Sequence, residues 1–255
     1  MPDVALLILA GGKGRRMQED LGNDLPKVLQ PLRGKPLVSH LIQSVRKASV
    51  IWPPVMVIGY KGELVKEKLG PDFTYVVQKE QLGTGHATAQ ARPVLEGKTE
   101  QVLVLYGDHP YIPLPVVEKI IATHTEHGNT ITLATTTVPD FDDFREQLMY
   151  YGRVMRDERG AILEIIEYKD ASEEERKILE VSPSYFCFRA EWLWSHIDLL
   201  KNDNAQKEYY LTDLLGIAIS EGEKVESVPI EPLVALGANT AEELERLEAL
   251  LPEMA

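Results

Sequence analysis

The chain has 255 residues, 44% hydrophobic and 26% charged, enough for one sizeable α/β domain with its own core. A net charge of −13 excludes a general binder of nucleic-acid backbones, and the single cysteine, Cys187 in a strand-like apolar run, excludes a disulfide framework within the chain. No apolar run is long enough to span a membrane and the N-terminus lacks a signal-peptide pattern, so the expected address is the cytoplasm.

In chain order, residues 4–10 read as a strand, 37–48 as a helix with Leu37, Leu41, Ile42 and Val45 on one face, and 55–58 as a second strand. A helix over 63–69, a strand over 73–77, a helix over 84–94, a strand over 101–106 and a helix over 114–127 follow. Strands that are continuous apolar runs between helices predict a parallel sheet covered on both faces. Such sheets bind ligands beyond the carboxyl ends of their strands, at a topological switch point. Residues 11–16, 78–85 and 107–108 lie just past strand ends, so three polar, glycine-marked loops are expected to converge on one rim.

The second half changes character. A β-branched strand over 130–137 is followed by an acidic connection over 139–149 and strands at 152–154 and 162–168, around the turn Asp157-Glu158-Arg159-Gly160. A strand over 182–189, a helix over 211–221, a strand over 225–230 and a helix over 241–251 with Leu244, Leu247, Leu250 and Leu251 on one stripe complete the reading. This half predicts a second lobe on an extension of the same sheet. There is no internal repeat and no hexapeptide periodicity of a left-handed β-helix.

Three constellations carry chemistry. The run Gly11-Gly12-Lys13-Gly14-Arg15-Arg16-Met17 after the first strand is neither the dinucleotide fingerprint nor a P-loop. Its glycines still let the backbone approach a phosphate and expose N–H groups, with Arg16 and Lys27 as cations. In Gln78-Lys79-Glu80-Gln81-Leu82-Gly83-Thr84-Gly85-His86-Ala87, glutamine amides offer the donor and acceptor that a pyrimidine edge requires. The same residues also suit a plain helix start, with Thr84 as cap and His86 exposed. In Tyr106-Gly107-Asp108-His109, a carboxylate at the end of a central strand suits Mg²⁺ against phosphates, and His109 reads as a neutral bystander. Later, Glu167 could accept from sugar hydroxyls and Lys169 could meet a sugar phosphate; the competing reading is a charged hairpin end leading into a capping box at Ser172-Glu173-Glu174-Glu175.

Together with Leu25-Pro26-Lys27-Val28-Leu29, Tyr151-Gly152-Arg153, Glu167-Tyr168-Lys169-Asp170-Ala171 and Asn204-Ala205-Gln206-Lys207-Glu208-Tyr209-Tyr210-Leu211-Thr212-Asp213, these segments run in order over almost the whole chain. They resemble the sugar-nucleotide pyrophosphorylases, most closely the uridylyltransferase domain of the bacterial N-acetylglucosamine-1-phosphate uridylyltransferases. The resemblance implies an α/β, Rossmann-like, mostly parallel mixed sheet with helices on both faces and a small sugar-binding lobe. The implied division is a nucleotide-binding half over about 1–128, a sugar-binding half over about 129–238 and a C-terminal helix over about 240–252, with no β-helix acetyltransferase domain.

The resemblance also implies roles. Leu9, Ala10, Gly11, Gly12 and Gly14 would wrap the nucleotide, Gln78, Gln81 and Gly83 would read uracil, and Thr84 would border the acetamido group. Arg16 and Lys27 would be the catalytic cations. Asp108 and Asn239 would hold Mg²⁺, and Tyr106, Gly107, Gly152, Glu167, Lys169 and Ser182 would line the sugar pocket. The implied reaction joins UTP and N-acetylglucosamine 1-phosphate into UDP-N-acetylglucosamine and pyrophosphate, with no nucleic acid or membrane as partner. Oligomeric state does not carry over. Four features depart from the family pattern: Ser182-Pro183-Ser184 replaces Asn-Thr-Gly, the link over 18–24 is longer and acidic, His109 replaces a small apolar residue, and the β-helix is absent. Ser182 keeps another sugar 1-phosphate open. A nucleotide-sugar-binding regulator without turnover is a further alternative, which intact Lys27, Asp108 and Asn239 argue against.

Overall fold

The computed structural model describes residues 3–250. The elements are β1 (Val4–Ala10), α1 (Arg15–Leu21), β2 (Pro31–Leu32), β3 (Lys35–Pro36), α2 (Leu37–Val45), β4 (Ile51–Ile58), α3 (Gly62–Leu69), β5 (Thr74–Val77), α4 (Thr84–Ala89), α5 (Arg92–Leu95), β6 (Gln101–Tyr106) and α6 (Leu114–His127). They continue with β7 (Ile131–Thr137), β8 (Gly152–Arg156), β9 (Ile162–Ile166), β10 (Glu180–Ser182), β11 (Phe186–Arg189), α7 (Ala190–His196), α8 (Asp213–Ser220), β12 (Val225–Pro229) and α9 (Ala241–Leu250).

One ten-stranded sheet runs β5-β4-β1-β6-β11-β7-β10-β8-β9, with β12 beside β7. The expected Rossmann-like mixed sheet is present: β5, β4, β1 and β6 are parallel, and the strands of the second lobe pair largely antiparallel. All seven residues of β1 are buried because both faces are covered. Leu7 and Leu9 alternate into a core under α4, α7 and α8, while Leu6 and Ile8 enter the opposite core under α2, α3 and α6. Of the expected stripe of α2, fully buried Leu41 and Val45 and partly buried Ile42 pack there, whereas fully buried Leu37 joins a third cluster. This third cluster joins Met17 of α1, Leu148, and Leu244 and Leu247 of α9, bracing the first loop from below. Leu251 lies outside the described residues.

Several boundaries differ from the sequence reading. The helix expected over 84–94 is two, α4 and α5. Pro93 offers no N–H and its ring would clash with the Ala89 carbonyl, so the helix cannot run through. The acidic connection over 139–149 contains a 3-10 helix, Asp143–Tyr150, whose Leu148 anchors it to α9. The link over 18–24 begins inside α1, which buries Met17 and Gln18. Helix α7, not foreseen, is held by buried Trp192 and Trp194.

The strand expected over 182–189 is not continuous: Ser182 ends β10, and Phe186–Arg189 form β11. Both strands pair with β7, but the other edge of β10 pairs with β8 and that of β11 with β6. Pro183 supplies no ladder N–H, and Ser184 takes a left-handed φ of 63°. The strand therefore forks the sheet, separating the end of β6 at Tyr106 from the start of β8 at Gly152.

Candidate active site

The parallel order reverses between β1 and β6, and the crevice beyond their carboxyl ends is the switch point. It opens into a cavity of about 450 Å³ walled by Leu9, Ala10, Gly11, Gly12, Lys27, Val28, Gln78, Gln81, Gly83, Thr84, Ala87, Tyr106, Asp108, Glu208 and Asn239. Two of the three expected loops thus meet here in full view, with Asp108 from the third.

Lys27 lies in the wall of this cavity. Val28 and Leu29 are buried and seat the 3-10 turn Lys27–Leu29. Gly14 takes φ 70° and lies so close that a Cβ there would be 2.7 Å from Lys27 Cβ, so only glycine permits this packing. Lys27 Nζ donates to the Asp108 carboxylate and, at 2.9 Å, to Asn239 Oδ1. The Lys27 and Asp108 side chains are only 16% and 11% exposed. Burial alone would push the Asp108 carboxyl up; the Lys27 ammonium outweighs it and holds the group below the ordinary carboxylate range.

Asn239 arrives from the far end of the chain. The Ala238 N–H donates to the Asp108 carbonyl at 3.0 Å. A capping box then starts α9: Glu243 N–H donates to Thr240 Oγ1 at 3.1 Å, and Asn239 N–H donates to the Glu243 carboxylate at 2.6 Å. Asp108 and Asn239 therefore present two hard oxygens to one cationic point. Among the described residues no cluster of three His, Cys, Asp or Glu converges, so a divalent cation fits only as a hard ion keeping most ligands from water or phosphate.

The Gln78 segment is more committed than its sequence suggested. Gln78 Nε2 donates to the Gly83 carbonyl at 3.1 Å and to His86 Nδ1 at 3.0 Å, so half-buried His86 positions the amide instead of standing exposed. Thr84 is not the helix cap; Gly83 occupies that position without a side-chain bond, and Thr84 Oγ1 accepts from the Leu211 N–H at 3.0 Å.

Two further cavities adjoin. One of about 370 Å³ shares Asn239 and is walled by Arg16, Gln147, Tyr150, Tyr151, Glu167, Tyr168, Lys169, Gln206 and Glu243. Another of about 190 Å³ lies in the sheet fork, among Thr84, Tyr106, His109, Tyr150, Tyr151, Gly152, Glu167, Ser182, Pro183, Ser184, Gln206, Glu208 and Tyr210. Glu167 Oε1 accepts from Thr212 Oγ1 at 2.9 Å, and burial pushes its carboxyl up. A larger hollow of about 620 Å³, between Phe144 and Arg246, touches none of these residues.

Some expected positions fall elsewhere. Arg16 belongs to the surface of α1, because the chain turns helical at Arg15; it faces the 370 Å³ cavity, not the one holding Lys27. Gly14 backs Lys27, and Gly107 is buried beneath the wall, its N–H spent on the Leu9 carbonyl at 2.9 Å. Lys169 lies with Arg16 and donates to Gln206 Oε1 at 2.6 Å. The Ser182 hydroxyl is occupied, donating to the Ala134 carbonyl and accepting from the Ser184 N–H at 3.1 Å. His109 is no bystander: it walls the fork cavity. Tyr185 donates to the Val234 carbonyl at 3.0 Å, so its oxygen takes the proton of His109 Nδ1 at 2.7 Å. Burial holds this ring at a pKa of about 4, hence neutral at pH 7. The capping box at Ser172 is real, its two bonds being Ser172 N–H to Glu175 and Glu175 N–H to Ser172 Oγ, and it opens a 3-10 turn. Glu208, Gln147 and the part played by His86 went unread.

Sheet and rim together define a nucleotide-binding α/β domain with a second polar lobe beside it. The MobA-like NTP transferase domain model matches residues 6–250. Proteins described as bifunctional GlmU are similar: that of Brevibacillus brevis is 39% identical over 252 residues, covering 98% of this chain and 52% of its own length. The Bacillus subtilis protein is 40% identical over 219 residues, covering 86% of this chain and 45% of its own. The chain thus spans about half the length of the curated relatives it matches. A crystal structure of UDP-glucose pyrophosphorylase complexed with UDP-glucose overlays with a TM-score of 0.75 at 16% identity, covering 98% of each chain. A Bacillus anthracis protein described as a glucose-1-phosphate thymidylyltransferase in complex with a sucrose gives 0.74 at 20%, covering 99% of this chain and 96% of its own. Likeness at these identities speaks for the fold. The chain belongs to the MobA-like NTP transferase domain family and is a nucleotidyltransferase. Among the described residues no helix is long and apolar enough to cross a membrane.

Proposed function

We propose that the chain transfers a uridylyl group from UTP to N-acetylglucosamine 1-phosphate, giving UDP-N-acetylglucosamine and pyrophosphate. The observation that carries this reading is Lys27 Nζ bridging Asp108 and Asn239 where the nucleotide cavity meets its polar neighbour. An oxygen of the sugar 1-phosphate attacks the α-phosphorus in line; the new O–P bond forms as the bond to the β-phosphate oxygen breaks, and its electron pair leaves with pyrophosphate. The attacking phosphate is already an anion, so no side-chain base or nucleophile is required. What the chain supplies is position and positive potential. Lys27 and the N–H groups at Gly11 and Gly12 neutralise charge at the α-phosphate, and Gln78 and Gln81 face the base. Glu167 accepts from a sugar hydroxyl, with Lys169 near the sugar phosphate. Asp108 and Asn239 would hold Mg²⁺, which when bound lowers the repulsion between the two reacting anions.

A second reading keeps the chemistry and changes the sugar. The Ser182 hydroxyl is already spent on Ala134 and Ser184, which leaves this wall without a free side-chain amide for an acetamido group. Pyrophosphate release with and without Mg²⁺, crossing UTP, dTTP, CTP and GTP with a panel of sugar 1-phosphates, tests both. A maximum at UTP with N-acetylglucosamine 1-phosphate supports the first. A maximum at another sugar supports the second. No release from any pair rejects both and leaves a nucleotide-sugar-binding module.

A further inference from the structure

The segment over 204–211 crosses the base-side loop and is pinned to it. Tyr209 N–H donates to the Leu82 carbonyl at 2.8 Å and Gly85 N–H to the Tyr209 carbonyl at 2.8 Å. Asn204 closes the turn, its Oδ1 accepting from Glu208 N–H at 3.1 Å and its Nδ2 donating to the Glu208 carbonyl at 2.5 Å. On the other side, a Cβ added at Gly83 would lie 3.0 Å from Glu208 Cβ. The backbone of Glu208 is thus fixed from both directions.

Its carboxylate is not. Among the described residues it has no hydrogen-bond or ion-pair partner, although the residue is only partly exposed and burial pushes its carboxyl up, with Lys169 opposing. Three residues wall both the 450 Å³ and the 190 Å³ cavities, namely Thr84, Tyr106 and Glu208, and Glu208 is the only carboxylate among them. A carboxylate accepts and cannot donate, so what completes it must bring hydroxyl or N–H donors. With the base at Gln78, Gln81 and Gly83 and the α-phosphate at Gly11 and Lys27, the group between them is the ribose, whose vicinal 2′ and 3′ hydroxyls can both donate to one carboxylate.

We infer that Glu208 is the ribose-reading residue of this site and selects ribonucleotides over 2′-deoxyribonucleotides. The inference rests on the uridylyl-transfer reading for its ligand. A site built to bond a hydroxyl discriminates strongly against the analogue lacking it. The wild type is therefore expected to favour UTP over 2′-deoxy-UTP in kcat/KM by about tenfold or more.

The test compares the wild type, Glu208→Gln and Glu208→Ala with UTP and 2′-deoxy-UTP at saturating sugar 1-phosphate and Mg²⁺. In Glu208→Ala the preference should fall to within about threefold, the KM for UTP rising more than that for 2′-deoxy-UTP, which loses only its 3′-hydroxyl contact. Glu208→Gln, isosteric and keeping one acceptor oxygen, should fall between and guards against a folding defect. The KM for the sugar phosphate should stay within about twofold. A preference kept in full by Glu208→Ala, one absent from the wild type, or a loss confined to the sugar-phosphate KM would each overturn the inference, the last giving Glu208 to the sugar. Calorimetric titration of both nucleotides into the same three proteins reads the preference without turnover. A protein that turns over no pair thus refutes the reaction while the ribose question is still answered.

Discussion

Replacing Lys27 by Met removes one ammonium and leaves Asp108 with its 11% exposed side chain short of a counter-charge. Breaking a buried ion pair from one side typically costs about 3–5 kcal/mol, because the remaining charge stays desolvated. Here partial exposure and proton uptake by Asp108 relieve some of that, so a loss of about 2–3 kcal/mol at pH 7 is expected. For a chain of this size this lowers the melting temperature by roughly 4–12 °C. Catalysis should suffer separately. One preorganised cationic contact at the developing charge is worth about 3–4 kcal/mol, or 10²–10³ in kcat. The two losses respond differently to added metal. With Nζ gone, the Asp108 and Asn239 oxygens are free to face a cation, so millimolar Mg²⁺ should raise the variant's melting temperature more than the wild type's without restoring turnover. Differential scanning fluorimetry and a pyrophosphate-release assay on one preparation decide the matter. Turnover within twofold of the wild type, or a variant that melts where the wild type does, would refute the placement of Lys27 in the wall of the site.

Gly83→Ala should be strongly destabilising and should raise the KM for UTP about tenfold or more. Its φ of 111° and a Cβ 2.5 Å from the Tyr209 carbonyl oxygen force either the base loop or segment 204–211 to move; urea unfolding and steady-state kinetics check it. Burial holds His109 and His124 at pKa values of about 4, against an ordinary 6.5. The unfolded chain therefore takes up these protons first, and stability present above pH 6.5 should fall as the pH drops towards 4, by up to about 1.4 kcal/mol per pH unit for each ring. In urea titrations, His124→Gln should remove one proton's share of that slope, an unchanged slope being the contrary result. Glu167→Gln should raise the KM for the sugar 1-phosphate while leaving that for UTP within about twofold. Because burial raises the Glu167 carboxyl, the wild-type sugar-phosphate KM should climb with acidification sooner than an ordinary glutamate would produce. A variant whose KM change falls on UTP would contradict the assignment of the fork cavity to the sugar.

The sequence by itself determined the alternation of buried strands and helices in the first half, the phosphate-suited loop at Gly11 and Gly12, and the polar segment around Gln78. These are local matters: an apolar run covered on two faces and a glycine-rich turn leave their mark in consecutive residues. Asp108 and Lys27 were legible as chemistry for the same reason. What only the tertiary structure decided involves partners distant along the chain. Asn239 reaches Asp108 because Ala238 bonds to the strand-end carbonyl and a capping box fixes the next turn; the resemblance had named it, but no local pattern sets its distance. Arg16 looked like part of the loop, yet the helical turn that begins at Arg15 and buries Met17 carries it to a neighbouring cavity. Residues 182–189 read as one strand because the apolar run Tyr185-Phe186-Cys187-Phe188 dominates the window; Pro183, with no N–H to give a ladder, marks the break at which β10 turns to β8 and β11 to β6. Glu208 went unread, and His109, read as neutral, was not placed in a cavity wall, for a related reason. A charged or polar side chain on a loop is by default solvated, and only the closure of other elements around it strips that water and gives it a wall of the site to hold.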